Sequence, residues 1–288
     1  IPDATPEHHP RPRLALGLLV TTVVPTLFVG TTMVQPDWHG IVHHPFSGWP
    51  FALSLLAILG VHEMGHYLVA RRHGVQVSLP YFIPMPVGPF GTMGAFISMK
   101  SPPLNKRHLL HIGLAGPLSG LIVALAVTIY GLKTSSLSVI SPDMPHYQEG
   151  NSIAYLLLKY LAFGRWLPDG NLDVSLNPVA FAGWAGLLVT GLNLIPAAQL
   201  DGGHIAYALL GRHARHLTLV IGGGLLLLGL LWPGWLLWSA IILLLGSQRQ
   251  VVLDSLTSLS RAEGIAALIA LLLFAVLFVP IPLQAVQP

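Results

Sequence analysis

Long apolar stretches recur along this chain of 288 residues, and they constrain its fold more than any other feature. A helix that spans a bilayer needs about 20 predominantly apolar residues. Only 9% of the residues are charged and 53% are hydrophobic, whereas soluble domains have about a quarter charged residues. The chain is therefore predicted to be an all-α polytopic membrane protein. Its clearest candidate spans are Leu14–Val34, Phe51–Ala70, His108–Leu132, Pro178–Ile195 and Gly264–Phe278.

Two shorter apolar stretches, Leu217–Leu231 and Trp235–Gly246, are separated by Trp232-Pro233-Gly234. They form either two short spans or one re-entrant hairpin, and both alternatives return the chain to the side it left. We predict about 6–8 transmembrane helices in a single domain of residues 1–288. The apolar run Ile153–Gly164 is too short to span and is expected to lie at the membrane interface.

Lys and Arg residues are distributed unevenly between the two sides that these spans define. Of the 14 Lys and Arg residues, all except Lys133, Lys159 and Arg165 fall on one side. Loops rich in Lys and Arg remain in the cytosol, so the N-terminus is predicted to be cytosolic. The basic residues form no continuous stripe, and nucleic acid is therefore not an expected partner.

Two apolar segments cannot be regular straight helices. Residues 79–99 contain Pro80, Pro84, Pro86 and Pro89 together with several glycines, a density of helix breakers that excludes a helix. This segment joins two cytosolic ends, so we predict a re-entrant, partly extended, β-hairpin-like structure. The run 178–211 would extend about 50 Å as one helix, longer than a bilayer core. It is expected to break at Pro196 and at Gly202-Gly203.

The second predicted span contains the sequence His62-Glu63-Met64-Gly65-His66. Residues four apart share one face of a helix, so His62 and His66 can present two nitrogen atoms to one zinc ion. Glu63 lies beside them and can accept a proton from a water molecule at the metal. Alternatively, the histidines only pack or cap inside the bundle, with Glu63 paired to a base. Burying three ionisable groups in a span is costly without a function, which favours the metal site.

A third ligand is expected, because catalytic zinc usually has three protein ligands and leaves the fourth position to water. The chain has no cysteine, so this ligand must be His, Asp or Glu. Asp201 is the only other carboxylate within a predicted apolar span, at a depth similar to that of His62. His204 is the competing candidate. Alternatively, Asp201 only caps a helix at the Gly202-Gly203 break.

These motifs resemble those of the site-2 protease family of intramembrane metalloproteases. The resemblance consists of an HExxH sequence in a transmembrane helix, followed far downstream by N-x-x-P, starting at Asn193, and by L-D-G around Asp201. It covers about residues 51–205, the three-helix catalytic core of the family. It implies that Zn²⁺ is the cofactor. The implied zinc ligands are His62, His66 and Asp201, and the implied general acid/base is Glu63.

Three further elements extend the resemblance. Asn193 matches the asparagine that steadies the tetrahedral intermediate in the family, and residues 91–97 resemble its G-x-x-G-A-x-I element. The residues thereby implied in substrate contact are Gly91, Gly94, Ala95 and Ile97. Residues 115–120 resemble the family's glycine-proline signature, for which close packing of helices through small residues is the favoured interpretation. No loop is long enough for the PDZ domain that many members contain, so the chain resembles the PDZ-free microbial and chloroplast members.

The expected function is regulated intramembrane proteolysis: zinc-dependent hydrolysis of peptide bonds in transmembrane segments of substrate proteins, within the lipid bilayer. The expected location is a microbial cell membrane or an organellar membrane, with the active site toward the cytosol. Residues 91–97 could receive the substrate as an added β-strand, or the segment could be a plug that only fills space. Two alternative functions are a membrane zinc transporter and a catalytically inactive scaffold that binds membrane helices. ZIP-like transporters have H-E-x-P-H-E on a span, whereas Tyr67 follows His66 here.

Overall fold

Within the part of the chain that the structure describes, three helices are long and apolar enough to cross a membrane. The computed structural model describes residues 11–139, 146–246, 252–254 and 256–286. In chain order its helices are α1 (Pro12–Val34), α2 (Trp38–His43), α3 (Trp49–Arg72), α4 (Lys106–Lys133), α5 (Ile153–Phe163), α6 (Pro178–Asn193), α7 (Asp201–Leu210), α8 (Ala214–Leu228), α9 (Gly234–Leu245) and α10 (Arg261–Leu277). The membrane-capable helices are α1, α3 and α4, which coincide with the first three predicted spans. At 1.5 Å per residue they exceed the hydrocarbon thickness of about 30 Å.

The other predicted spans form shorter helices. Helices α6 and α10 have 16 and 17 residues, and α8 and α9 have 15 and 12. The break expected at Trp232-Pro233-Gly234 lies between α8 and α9, because α8 ends at Leu228 and α9 begins at Gly234. By length and composition, the described residues therefore support a mostly helical membrane protein with three spanning helices.

One face of α3 is buried along most of the helix. Phe51, Leu55 and Ile58 lie at the spacing of a single helix face, and they form part of the main apolar core with residues of α4 and α6. One turn later, the same face has His62 and His66 in place of apolar side chains. The buried face of α3 thus changes from apolar packing to ionisable groups within the helix.

The long apolar run 178–211 is interrupted near its middle. Helix α6 ends at Asn193 and α7 begins at Asp201, so the break expected near Pro196 is confirmed. The break expected at Gly202-Gly203 is wrong, because both glycines lie in the first turn of α7. A Cβ atom at Gly202 would be 2.1 Å from the Leu194 carbonyl oxygen, and one at Gly203 would be 2.4 Å from that of Ala198. The glycines therefore allow α7 to pack tightly against the connection that precedes it.

In the described residues, three antiparallel strand pairs accompany the helices. Strands β1 (Tyr81–Pro84) and β2 (Thr92–Phe96) pair within the segment that was predicted to be partly extended. The all-α class was wrong in this respect: β3 (Ser136–Val139) pairs with β5 (Leu172–Ser175), and β4 (His146–Glu149) pairs with β6 (Leu283–Val286). Each of these strands has four residues, and its partner lies far away in sequence, so no local alternation of apolar and polar residues indicated it.

Lys159 on α5 is buried, although its charge was counted as a marker of one membrane side. Its Nζ atom lies 3.0 Å from Glu149 Oε1 and 2.9 Å from Asp173 Oδ1. The Tyr155 hydroxyl donates to the same Glu149 oxygen at 3.3 Å. This buried cluster joins β4, α5 and β5, and Lys159 therefore provides structural support instead of a solvated positive charge.

Candidate metal centre

The two histidines of the HExxH motif face each other on the buried side of α3. The Nε2 atoms of His62 and His66 are 3.2 Å apart, and both side chains are about 95% buried. This convergence follows from their spacing of four residues, which places both on one helix face one turn apart. The structure therefore brings together the two nitrogen donors expected from the motif.

The tautomer of His66 is set by a backbone group of the neighbouring helix. Its Nδ1 atom lies 2.7 Å from the carbonyl oxygen of Ile112 on α4. A carbonyl oxygen can only accept a hydrogen bond, so Nδ1 has the proton and, in the neutral ring, Nε2 has the free electron pair. Metal-binding histidines are usually oriented in this way by a hydrogen bond from the other ring nitrogen. Ile112 was not predicted, because a backbone carbonyl has no signature in the sequence.

Asp201 completes the group of potential ligands from the first turn of α7. Its Oδ2 atom lies 3.2 Å from His62 Nε2, and its Oδ1 atom lies 3.1 Å from His66 Nε2. With Nδ1 protonated, the electron pair of neutral His66 faces a carboxylate oxygen. Two electron-rich atoms at this distance repel each other unless a cation or a proton lies between them.

The spacing of these donor atoms fits a zinc ion. In a tetrahedral site with bonds of about 2.0 Å, ligand atoms lie about 3.3 Å from one another. The Nε2 atoms of His62 and His66 lie 3.2 Å apart, and each approaches a different oxygen of Asp201, at 3.2 Å and 3.1 Å respectively. Among the described residues, this is the only group of three or more His, Asp or Glu side chains whose donor atoms all lie within 4.8 Å of one another. The donor set of two imidazoles and one carboxylate is also one that zinc prefers.

Three glycines on α4 make room for histidine side chains. A Cβ atom at Gly116 would lie 2.0 Å from His66 Nε2, and one at Gly120 would lie 3.0 Å from His62 Cβ. A Cβ atom at Gly113 would lie 3.2 Å from His204 Cβ. The small residues within 115–120 were predicted to permit close helix packing, and this is confirmed. The structure adds that the surfaces they approach include the potential metal ligands themselves.

Glu63 and Asn193 border the same space. Glu63 Oε1 lies 3.9 Å from His62 Nε2, and the Asn193 amide nitrogen lies 3.3 Å from that same atom. Both residues line a cavity of about 210 Å³ together with His62, His66 and Asp201. The expected acid/base residue and the expected oxyanion donor are therefore positioned beside the metal ligands, in a space large enough for water.

His204 also lines this cavity, but its donor atoms do not belong to the close group that Asp201 forms with the two α3 histidines. The α7 helix begins at Asp201, so His204 lies on the next turn, where it packs against Gly113. The geometry thus favours Asp201 over His204 as the third ligand. Phe96, Met99, Gln199 and Leu200 also contribute to the cavity wall, and no sequence signal indicated them.

The residues expected to contact substrate are divided between two places. Ala95 and Ile97 line the cavity beside the metal ligands. Gly91 packs against α1, since a Cβ atom there would lie 2.5 Å from the Pro25 carbonyl group. Gly94 lines a neighbouring apolar cavity, and its backbone N–H donates to Thr92 Oγ1 at 3.0 Å. Only the last part of the predicted segment is adjacent to the metal centre.

Known proteins are similar in sequence to the part of the chain that contains this site. A family model described as Peptidase family M50 matches residues 50–229, which include both α3 histidines, Asn193 and Asp201. A probable zinc metalloprotease EGY2, chloroplastic, of Arabidopsis thaliana is 37% identical over 189 residues, which cover 64% of this chain and 32% of that protein. A probable zinc metalloprotease EGY1, chloroplastic, of Oryza sativa subsp. japonica is 32% identical over 182 residues, covering 62% and 31%. The chain thus spans about a third of the length of these relatives. No solved structure matches it.

Proposed function

This chain belongs to peptidase family M50, and on that basis we propose that it is an intramembrane zinc metalloprotease. One observation supports the proposal above all others. His62 and His66 lie on the buried face of a membrane-capable helix with Glu63 beside them, and each ring nitrogen lies within 3.2 Å of an oxygen of Asp201 on α7. Ionisable groups are retained inside membrane helices mainly where they have a function.

The chemistry proposed for the site is hydrolysis of a peptide bond. His62, His66 and Asp201 would hold the zinc ion, which would supply Lewis acidity for the activation of water at neutral pH. Glu63 accepts a proton from the attacking water and returns it to the amine that leaves. The Asn193 side chain donates a hydrogen bond to the carbonyl oxygen as negative charge develops there. A single donor of this kind typically contributes about 10²–10³-fold in rate.

The proposed substrates are transmembrane segments of other proteins. His62 precedes the end of α3 at Arg72 by about 15 Å along the helix axis, which places the site at membrane depth if α3 spans. Large apolar side chains of α1 and α3, such as Val24, Leu53 and Leu68, are exposed and suit contact with lipid. A substrate must be extended near the metal, because the backbone of a helix is enclosed by its own side chains and hydrogen bonds.

The β1–β2 hairpin is proposed to hold that extended substrate. Strand β2 pairs with β1, and the end of β2 reaches the metal cavity through Ala95 and Phe96. Addition of a substrate strand to a sheet edge supplies backbone hydrogen bonds independent of sequence. The Gly94 N–H already donates to Thr92, so the contribution of Gly94 is conformational: its φ of +108° is one that residues with a side chain rarely adopt. Gly91 contributes indirectly, through the contact of the hairpin with α1.

The proposed topology extends the three membrane-capable helices to about 6–8 spans, with the hairpin segment re-entrant and the catalytic core at about residues 51–205. The bias of Lys and Arg supports a cytosolic N-terminus and an active site in the cytosolic half of the membrane. We place the protein in a microbial cell membrane or an organellar membrane. The names of the plant relatives indicate chloroplasts for those proteins.

The proposal is tested by metal-dependent cleavage of a tagged transmembrane substrate by the purified chain in proteoliposomes. Cleavage should stop after chelation and return when zinc is added. Zinc movement across the proteoliposome membrane without cleavage would support the transporter alternative. Binding of substrate with neither cleavage nor zinc movement would support the inactive scaffold, against which the presence of Glu63 beside the ligands argues.

A further inference from the structure

A second cavity, of about 270 Å³, adjoins the metal cavity. Its wall is formed mainly by apolar side chains, among them Leu59, Phe90 and Leu188. The polar atoms of several lining residues are engaged elsewhere. Trp184 Nε1 donates to the Gly150 carbonyl oxygen, and Trp232 Nε1 donates to that of Leu283. The cavity therefore presents an apolar interior with little hydrogen-bonding capacity toward a ligand.

Three elements contribute consecutive stretches to both cavities. On β2, Gly94 lines the apolar cavity and Ala95 lines the metal cavity; on α6, the corresponding neighbours are Leu192 and Asn193. On α3, Leu59 lines the apolar cavity, and the metal cavity begins with His62 one turn later. Successive Cα atoms are about 3.8 Å apart. The two cavities are therefore neighbours along all three elements, and β2 runs from one to the other.

We propose that the apolar cavity is a specificity subsite that receives one bulky apolar side chain of the substrate. This inference rests on the proposed proteolytic function. A substrate strand extended along β2 advances about 3.3 Å per residue. Its side chain about two to four positions from the scissile bond therefore reaches the cavity when the bond itself lies at the metal. A leucine or phenylalanine suits this space, because the cavity offers apolar contacts and few polar partners.

The position of the cavity predicts on which side of the scissile bond the bulky apolar residue of the substrate lies. The α3 residues that line the apolar cavity come before His62 in the sequence, and the α6 residues that line it come before Asn193. Relative to the metal ligands, the cavity therefore lies toward the start of both helices. The bulky residue therefore belongs to the part of the substrate that extends away from the Arg72 end of α3. Substrates with alanine or a charged residue at that position should be cleaved more slowly than substrates with leucine or phenylalanine.

A positional scan tests this inference with the full chain in proteoliposomes. Each position within about four residues of the mapped scissile bond is set in turn to Leu, Ala or Asp, and kcat/KM is measured. At one position, on the side of the scissile bond that extends away from the Arg72 end of α3, replacement of Leu by Ala should lower kcat/KM at least about 10-fold. This factor is typical of the discrimination by apolar pockets. The variant Val189→Phe fills part of the cavity from α6 and should bring the Leu to Ala ratio close to one.

Val179→Phe is the matched control. Val179 is the same residue type on the same helix, is similarly half-buried and lines neither cavity. Its Leu to Ala ratio should equal that of the unmodified protein. If all variants cleave and the ratio of kcat/KM between Leu and Ala substrates is near one at every position, the subsite is overturned and the proteolytic function stays intact. Absence of metal-dependent cleavage would instead contradict the proposed function itself.

A binding measurement keeps the inference testable if Val189→Phe does not fold. A substrate with photoreactive diazirine-leucine at the selected position is bound to the Glu63→Gln protein and irradiated. Cross-links to Leu188, Leu192 or Trp238 support the subsite, since these residues line the apolar cavity. Cross-links only to other surfaces, or a lipid that stays in the cavity while substrate is bound, would overturn it.

Discussion

Gly116→Ala is expected to damage the metal site through a single added carbon atom. A Cβ atom at this position would lie 2.0 Å from His66 Nε2 and 2.4 Å from His66 Cδ2. Ordinary contact begins at 3.4 Å, so the ring or the helix has to move by about 1.4 Å, several times the variation of about 0.2 Å seen in metal–ligand distances. Ile112, like Gly116, lies on α4, and its carbonyl oxygen accepts the hydrogen bond from His66 Nδ1. A shift of α4 therefore also disturbs the hydrogen bond that orients the His66 ring.

The expected loss follows from this displacement. Disturbing the groups that orient a metal ligand typically costs about 10–100-fold in metal affinity, and here the ligand itself is displaced. We expect zinc affinity to fall at least about 100-fold, equivalent to about 2.8 kcal/mol, with a comparable loss of cleavage. Zinc per chain is measured after equilibration with a chelator of known affinity, and helicity is measured in the same preparation.

Two further glycines provide graded controls. Gly120→Ala meets His62 Cβ at 3.0 Å and should have a milder effect, whereas Gly224→Ala on α8 has no atom within 4 Å and should have none. Alanine has a higher helix propensity than glycine by about 1 kcal/mol, so loss of secondary structure does not explain a defect. A folded Gly116→Ala protein with unchanged zinc affinity would refute the close approach of α4 to His66.

Three other predictions concern single side chains. Glu63→Gln should retain zinc and lose cleavage at least about 100-fold, because an amide cannot accept the proton; residual cleavage near the normal rate would remove Glu63 from the chemistry. Asp201→Ala should lose most bound zinc and all activity, whereas His204→Ala should retain most of both, and the opposite pattern would exchange their roles. Lys159→Met should lower the free energy of unfolding by about 3–5 kcal/mol, since it leaves buried carboxylates without a cation. Chemical denaturation measures this loss, and the exposed Lys133→Met should leave stability nearly unchanged.

The grouping of His62, His66 and Asp201 was predictable because it rests on short-range patterns and on similar depth along the apolar segments. The spacing of His62 and His66 fixes their common helix face wherever the helix lies. Asp201 was predicted from its similar depth, and its oxygens lie 3.1–3.2 Å from the two histidines. The three long apolar stretches are long enough for their helices to be recognised without knowledge of their partners.

Features that depend on partners distant in sequence were not predictable. The pairing of β4 with β6 joins segments that are separated in the sequence by α5 to α10. Lys159 was counted as a marker of one membrane side, because a sequence does not show that Glu149 and Asp173 enclose it. The rule for membrane orientation counts every Lys and Arg, whether exposed or buried. A Lys in a buried ion pair is therefore counted, although it gives no information about which side of the membrane it lies on. Without Lys159, the predicted orientation becomes stronger.

The glycines of α4 connect a local sequence pattern on one helix with a contact between two helices. An HExxH helix places two imidazole rings on one face, and these rings extend toward a neighbouring helix. A side chain on that helix would either push the helices apart or displace the rings, as the contacts at Gly116 and Gly120 show. The metal ligands on one helix therefore require small residues on its neighbour, four residues apart, to match the spacing of His62 and His66. The glycine signature of α4 is thus part of the metal centre, although none of its residues offers a ligand atom.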